Sequence, residues 1–123
     1  MPKPEIEFAV PTGRWVPAGD VVEGIWEQIL SKDADTGSYT RLLRFDPGVS
    51  SEPNGTLHHD FWEEVFIVRG DLTDLRLGQT FTAGMYACRP PGMPHGPWQS
   101  TEGVLMVEFR HGFPAAESTE STR

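Results

Sequence analysis

Gly84-Met85-Tyr86-Ala87-Cys88-Arg89-Pro90-Pro91-Gly92-Met93-Pro94-His95 is the stretch on which the fold turns. Gly84 has the backbone freedom to turn into a strand. Met85–Arg89 is the length of a short strand, and Pro90 ends it because proline brings no N–H to a ladder. Gly92 lets the chain double back, and His95 follows directly on that turn. A turn, a strand, a stop and a second turn within so few residues describe a β protein rather than a helical one.

The rest of the sequence is punctuated in the same way. It holds 13 Gly and 11 Pro, spread along the chain and interrupting its apolar stretches. No long window sustains an i, i+3, i+4 stripe without one of them inside it. Strands are predicted at Glu5–Val10 (an edge segment), Val21–Leu30, Tyr39–Phe45, Val65–Val68, Leu72–Leu75, Met85–Arg89 and Val104–Arg110. Ser31–Gly37, Asp46-Pro47-Gly48 and Ser50–Gly55 read as turns and loops. Many short strands at this spacing suggest a sandwich or barrel.

Composition narrows the class further. A chain of 123 residues with 37% hydrophobic residues, four Trp and seven Phe is one globular domain with one core. Its formal net charge is −8, and its lysines are Lys3 and Lys32 alone. Such a surface repels phosphate backbones and anionic lipid, so neither nucleic acid nor membrane is expected as a partner. No apolar run approaches a membrane span, and Met1–Glu5 has no signal-peptide core. One cysteine, Cys88, excludes an internal disulfide. The expectation is a cytoplasmic protein.

Gly84–His95 fits G-x5-P-x-G-x2-H at every fixed position and so resembles the second cupin motif, with Gln99 where an Asn is usual. His59-x3-Glu63-x6-Gly70 resembles the first, G-x5-H-x-H-x3-E-x6-G, but Leu57 stands where the first His belongs. The resemblance runs from about Tyr39 to Phe109. It is nearest to the branch that holds zinc-binding anti-sigma factor domains and diketone-cleaving dioxygenases, whose members bind zinc or iron through three or four side chains. It implies an all-β, double-stranded β-helix (jelly-roll) barrel, with His95 at the barrel mouth. The single domain is expected over residues 1–112, with N-terminal strands in 5–30, a barrel core over 39–109, and a disordered tail over 113–123. Cupins of this size commonly form homodimers, and the N-terminal segment is expected to exchange or pack at such an edge.

The resemblance implies His59, Glu63 and His95 as ligands of one divalent metal (Fe, Zn, Mn or Ni), absent if Leu57 has cost the site its hold. Alternation makes Glu63, not Glu64, share the inward face with Val65 and Ile67, and it turns His58 away from His59 unless a bulge shifts the register. Glu63 and His95 are the catalytic candidates. His58, Trp62, Trp98, Gln99 and Cys88 are candidates for the surroundings of the site. Trp62 and Trp98 are equally readable as packing, and Cys88 as a small core residue. Arg44 and Arg89 either bind a substrate carboxylate or pair with surface acids. Met85, Met93 and Met106 read as core or rim, and His111 as exposed. The function implied is a small-molecule cupin, a metal-dependent enzyme acting on an enol, diketone or other oxygen-chelating substrate. A sensing module without turnover, or a metal-free His/Glu isomerase or cyclase, stands as the alternative.

Overall fold

The computed structural model describes residues 1–115. Eight strands run through them: β1 (Val16–Pro17), β2 (Ile25–Lys32), β3 (Tyr39–Phe45), β4 (Trp62–Asp74), β5 (Gln79–Thr82), β6 (Tyr86–Arg89), β7 (Trp98–Gln99) and β8 (Val104–His111). All pairings are antiparallel, and the path β1-β2-β3-β8-β4-β5 is joined by β6 and β7, which both pair with β4. This is a single-domain jelly roll.

Strand β4 organises the barrel. The expected strands Val65–Val68 and Leu72–Leu75 are one strand, kinked where the register with β8 shifts between Ile67 and Arg69. Its first half pairs with β8 and β6, its second half with β5 and β7. Gly70 sits at the kink because nothing larger fits: a Cβ there would lie 2.0 Å from the Gly103 carbonyl oxygen, and φ is +93°.

Cross-strand register sorts the barrel interior into rungs. Ile25, Phe45 and Val104 form an apolar rung at one end, followed by Leu43, Met106 and Ile67. The next rung is Arg41, Glu108 and Val65, and the last is Tyr39, Arg110, Glu63 and Arg89. The core therefore lies at the first end, where Phe45, Ile67, Val104 and Met106 are buried with Leu72 and Trp98. Each such side chain contributes about 1.5–3 kcal/mol. Polarity rises steadily toward the other end.

The strand expected over Val21–Leu30 begins only at Ile25 and runs on to Lys32, and one expected strand is missing. Glu5–Val10 is not a strand, since β1 already occupies the outer edge of β2 and leaves the segment no ladder to join. The chain just before it is tied to the barrel exterior, where Lys3 Nζ donates to Thr40 Oγ1 at 2.7 Å. Of the tail expected over 113–123, Phe113 lies against Phe61 at 4.5 Å between ring centroids, the rings tilted by 31°. The remainder of that expectation, residues 116–123, lies outside the described residues.

Candidate metal and ligand site

The barrel interior holds a cavity of about 770 Å³, counting its open mouth, that runs from the apolar rung of Ile25 and Phe45 to the polar rung of Glu63 and Arg110. Leu57, Glu63, His95, Arg41, Glu108 and Arg110 lie on its wall, with Trp98 and Met106 deeper in. Leu57 and His95 are joined by a two-way backbone bridge, Leu57 N–H to His95 O at 2.7 Å and His95 N–H to Leu57 O at 2.8 Å. The residue in the first-ligand position thus faces the cavity, and it is a leucine. His58 is exposed on the other side. No bulge brings it in.

His59, Glu63 and His95 do converge, each offering a ligand atom within 4.8 Å of the others. His95 Nδ1 lies 3.2 Å from the Met93 carbonyl. A carbonyl can only accept, so the proton sits on Nδ1 and Nε2 keeps its lone pair. That Nε2 is 3.7 Å from Glu63 Oε1. His59 Nε2 is buried and has no hydrogen-bond partner among the described residues. Its ring is held by stacking on Phe61 at 4.5 Å and by His95 at 4.8 Å. Burial, then the Arg110 guanidinium, pull His59 down to about 4 against the attraction of Glu63. Burial lowers His95 too, and Arg89 adds to it. Both imidazoles are therefore neutral near pH 7.

Glu63 is held by its own rung. Arg89 Nη1 donates to Oε1 at 2.9 Å, while Arg110 donates to Oε2 through Nε at 2.8 Å and Nη2 at 2.7 Å. Burial pushes this carboxyl up, but Arg110 and Arg89 outweigh it and keep it below the usual carboxylate range. The rung below is paired as tightly. Arg41 reaches Glu108 Oε1 at 2.7 Å and Glu27 Oε1 at 2.7 Å. Burial raises Glu108 despite Arg41.

The donor set fits a divalent cation. Two neutral imidazoles and an ionised carboxylate suit non-haem iron(II), zinc, manganese or nickel. The orphaned, buried His59 Nε2 is a polar atom with no partner, a want that a bound cation satisfies. Glu63 Oε1 carries one hydrogen bond and retains a lone pair toward His95. The neighbouring guanidiniums oppose that cation.

The remaining expectations divide. Trp98 is buried, lines the cavity and carries the Arg89 guanidinium 5.0 Å above its ring. Trp62 is not in the site: it has the opposite parity to Glu63, points outward and stacks on His111 at 6.3 Å. Cys88 is exposed on the outer face, since Ala87 and Arg89 take the inward positions of β6. Gln99 pairs with Thr73 and Ser50 and lines neither cavity, because its neighbour Trp98 takes the inward position. Arg44 lies outside, 4.5 Å over Trp15. His111 is half-buried, with Nε2 2.8 Å from Glu64 Oε2. Arg41, Glu108 and Arg110 were missed by sequence reasoning, although parity with Leu43, Phe45, Val104 and Met106 marks all three as inward.

A jelly roll with a His/Glu/His cluster at its polar end is a cupin. The chain belongs to the ChrR cupin-like domain family, which matches residues 5–113. No curated protein matches it significantly. Among solved structures it is similar to an RmlC-like cupin from Shewanella frigidimarina, at 19% identity and TM-score 0.68, covering 90% of this chain and 94% of that one. An acetylacetone dioxygenase from Acinetobacter johnsonii gives 21% identity and TM-score 0.71, covering 89% and 75%. The complex of Rhodobacter sphaeroides SigE with the anti-sigma ChrR gives 17% and 0.61, covering 82% of this chain and 51% of that one. These likenesses are of fold. No helix among the described residues is long and apolar enough to cross a membrane.

Proposed function

We propose that this cupin is a metal-dependent small-molecule enzyme in which His59, Glu63 and His95 hold one divalent cation. The observation that carries the reading is the buried, unpartnered Nε2 of His59 beside Nε2 of His95 and the carboxylate of Glu63. A metal there supplies Lewis acidity toward an oxygen-bearing substrate such as an enol or diketone. The likeness in fold to an acetylacetone dioxygenase supports that substrate class.

The chain's own residues do the rest. Met93 O fixes the His95 tautomer, and Arg89 with Arg110 fix the Glu63 rotamer and keep it ionised. Phe61, stacked on His59, helps to exclude water on that side. The cavity has room for a small molecule.

One feature favours a second reading, a metal- or ligand-sensing module without turnover. Both Glu63 oxygens are already bound by guanidiniums, so Glu63 is poorly placed to shuttle a proton.

Elemental analysis after reconstitution tests the metal. About one equivalent is expected; less than roughly one-tenth sinks the reading. His95→Ala is expected to abolish uptake and His58→Ala to leave it intact, and retention in His95→Ala would place the metal elsewhere. Oxygen uptake and substrate loss with a panel of β-diketones and enols then separate the enzyme from the sensor.

A further inference from the structure

A second, mainly apolar cleft of about 630 Å³, counting its mouth, opens between β5 and β6. Val65, Ile67, Leu72, Phe81, Met85 and Ala87 make its apolar wall. Val65, Leu72, Arg89, His95 and Trp98 also line the metal cavity, so the two spaces share a wall. The volume is that of a small-ligand site.

The few polar groups in the cleft point to one charge. Asp74 is spent, accepting from the Arg76 and Leu77 amides at 2.9 and 3.0 Å and from the Gly96 amide at 3.3 Å. Arg89 is not. Its Nη1 serves Glu63, but Nε and Nη2 have no hydrogen-bond partner among the described residues. Neither is fully sealed in protein, so each keeps some accessible surface on a side chain that lines both spaces. Together they form the side-on edge of the guanidinium, which matches a carboxylate through two parallel hydrogen bonds. Trp98 lies against that guanidinium, with Arg89 Cζ 5.0 Å from the ring centroid. Arg76 adds a second positive charge at the mouth, its Nη2 donating to Pro94 O at 3.2 Å. Two guanidiniums against the one carboxylate of Asp74 leave the cleft net positive in a chain of formal net charge −8, which favours an anion.

We propose that this cleft binds an apolar carboxylic acid, aliphatic or aryl-alkyl. Its carboxylate takes the Nε/Nη2 edge of Arg89, and its body lies along Val65, Ile67 and Ala87. This deepens the proposed function by naming a ligand class, and it rests on that reading only in setting the acid's head beside His95. The two fail separately, because binding in the cleft does not require the metal.

Calorimetric titration of the intact protein with butanoate, hexanoate and octanoate, in chelator-treated and metal-loaded samples, is the test. Affinity is expected to rise about tenfold per added pair of methylenes until the cleft is full. Hexanamide is expected to bind at least about tenfold more weakly than hexanoate. Arg89→Gln is expected to remove that preference, and Ala87→Phe, which fills the cleft, to abolish binding of all three acids. Because Arg89→Gln disturbs Glu63, the chain-length series on unaltered protein stands as an independent measurement. Affinity indifferent to chain length, or equal binding of acid and amide, overturns the proposal. So does self-association of the protein that the acids do not affect and that Ala87→Phe prevents, which would make a second copy the occupant.

Discussion

Glu63 is bracketed by two guanidiniums in a rung where the carboxylate is buried and both arginines are largely withdrawn from water. Such a group costs more to break than it contributes whole, because removing the anion leaves two cations facing each other. Glu63→Gln is therefore expected to lower stability by about 3–5 kcal/mol, read from urea unfolding. Adding Arg89→Gln to it should recover part of the loss, and a double-mutant cycle with no coupling would contradict the bracketing. Leu57 supports a prediction of opposite sense. It faces the cavity and is bridged to His95 by backbone, so Leu57→His adds an imidazole to the donor set without moving the chain. An outer partner of a metal-bound histidine alone changes affinity by roughly 10- to 100-fold, so Leu57→His is expected to tighten metal binding at least about tenfold. Competition with a chromogenic chelator reads this directly. The Leu57 defect was legible from the motif resemblance, and the outward turn of His58 from alternation. The bracketing arginines were not, because setting Arg110 opposite Glu63 requires the β4–β8 register, and those strands lie far apart in sequence.

At the scale of the element, β4 explains why the first motif ends in glycine. The strand must leave one sheet for the other at Gly70, where β8 and the Gly103 carbonyl press against its backbone. Gly70→Ala meets both a positive φ and a backbone clash that no side-chain rotation relieves. It is expected to cost upwards of about 2 kcal/mol in thermal or urea unfolding. Gly84→Ala, also at positive φ but with nothing within 4 Å of the added carbon, should cost visibly less. Equal losses at the two sites would mean that the close approach contributes nothing. Strand positions were readable where local patterning decides them, as in Tyr39–Phe45, which matches β3 at both ends. The kinked continuity of β4 was not, since a bulge joins two runs that look separate along the sequence. Trp62 and Cys88 were misjudged for a related reason: nearness to a ligand along a strand alternates between the two faces, and both residues fall on the outer one.

For the molecule as a whole, the gradient from an apolar end to a polar end makes stability depend on acid in a definite way. His59 and His95 titrate lower in the folded chain than the ordinary 6.5, so the unfolded chain takes up their protons first. Their contribution is intact above about 6.5 and declines as pH falls toward the folded value of His59, about 4. Glu63, also depressed, contributes fully above its ordinary 4.5 and is lost below it, as pH falls through its folded value. Glu108 acts in the opposite direction: its raised folded value means that stability is gained as pH falls through it, and the gain is complete by 4.5. The urea midpoint of chelator-treated protein should therefore decline gently between pH 6.5 and 4.5, where Glu108 offsets the histidines, and steeply below, where nothing does. Loading the metal should steepen the upper limb, because the cation binds only the deprotonated imidazoles and leaves as they protonate. A midpoint that stays level down to 4.5 with metal bound would mean that His59 and His95 do not hold it.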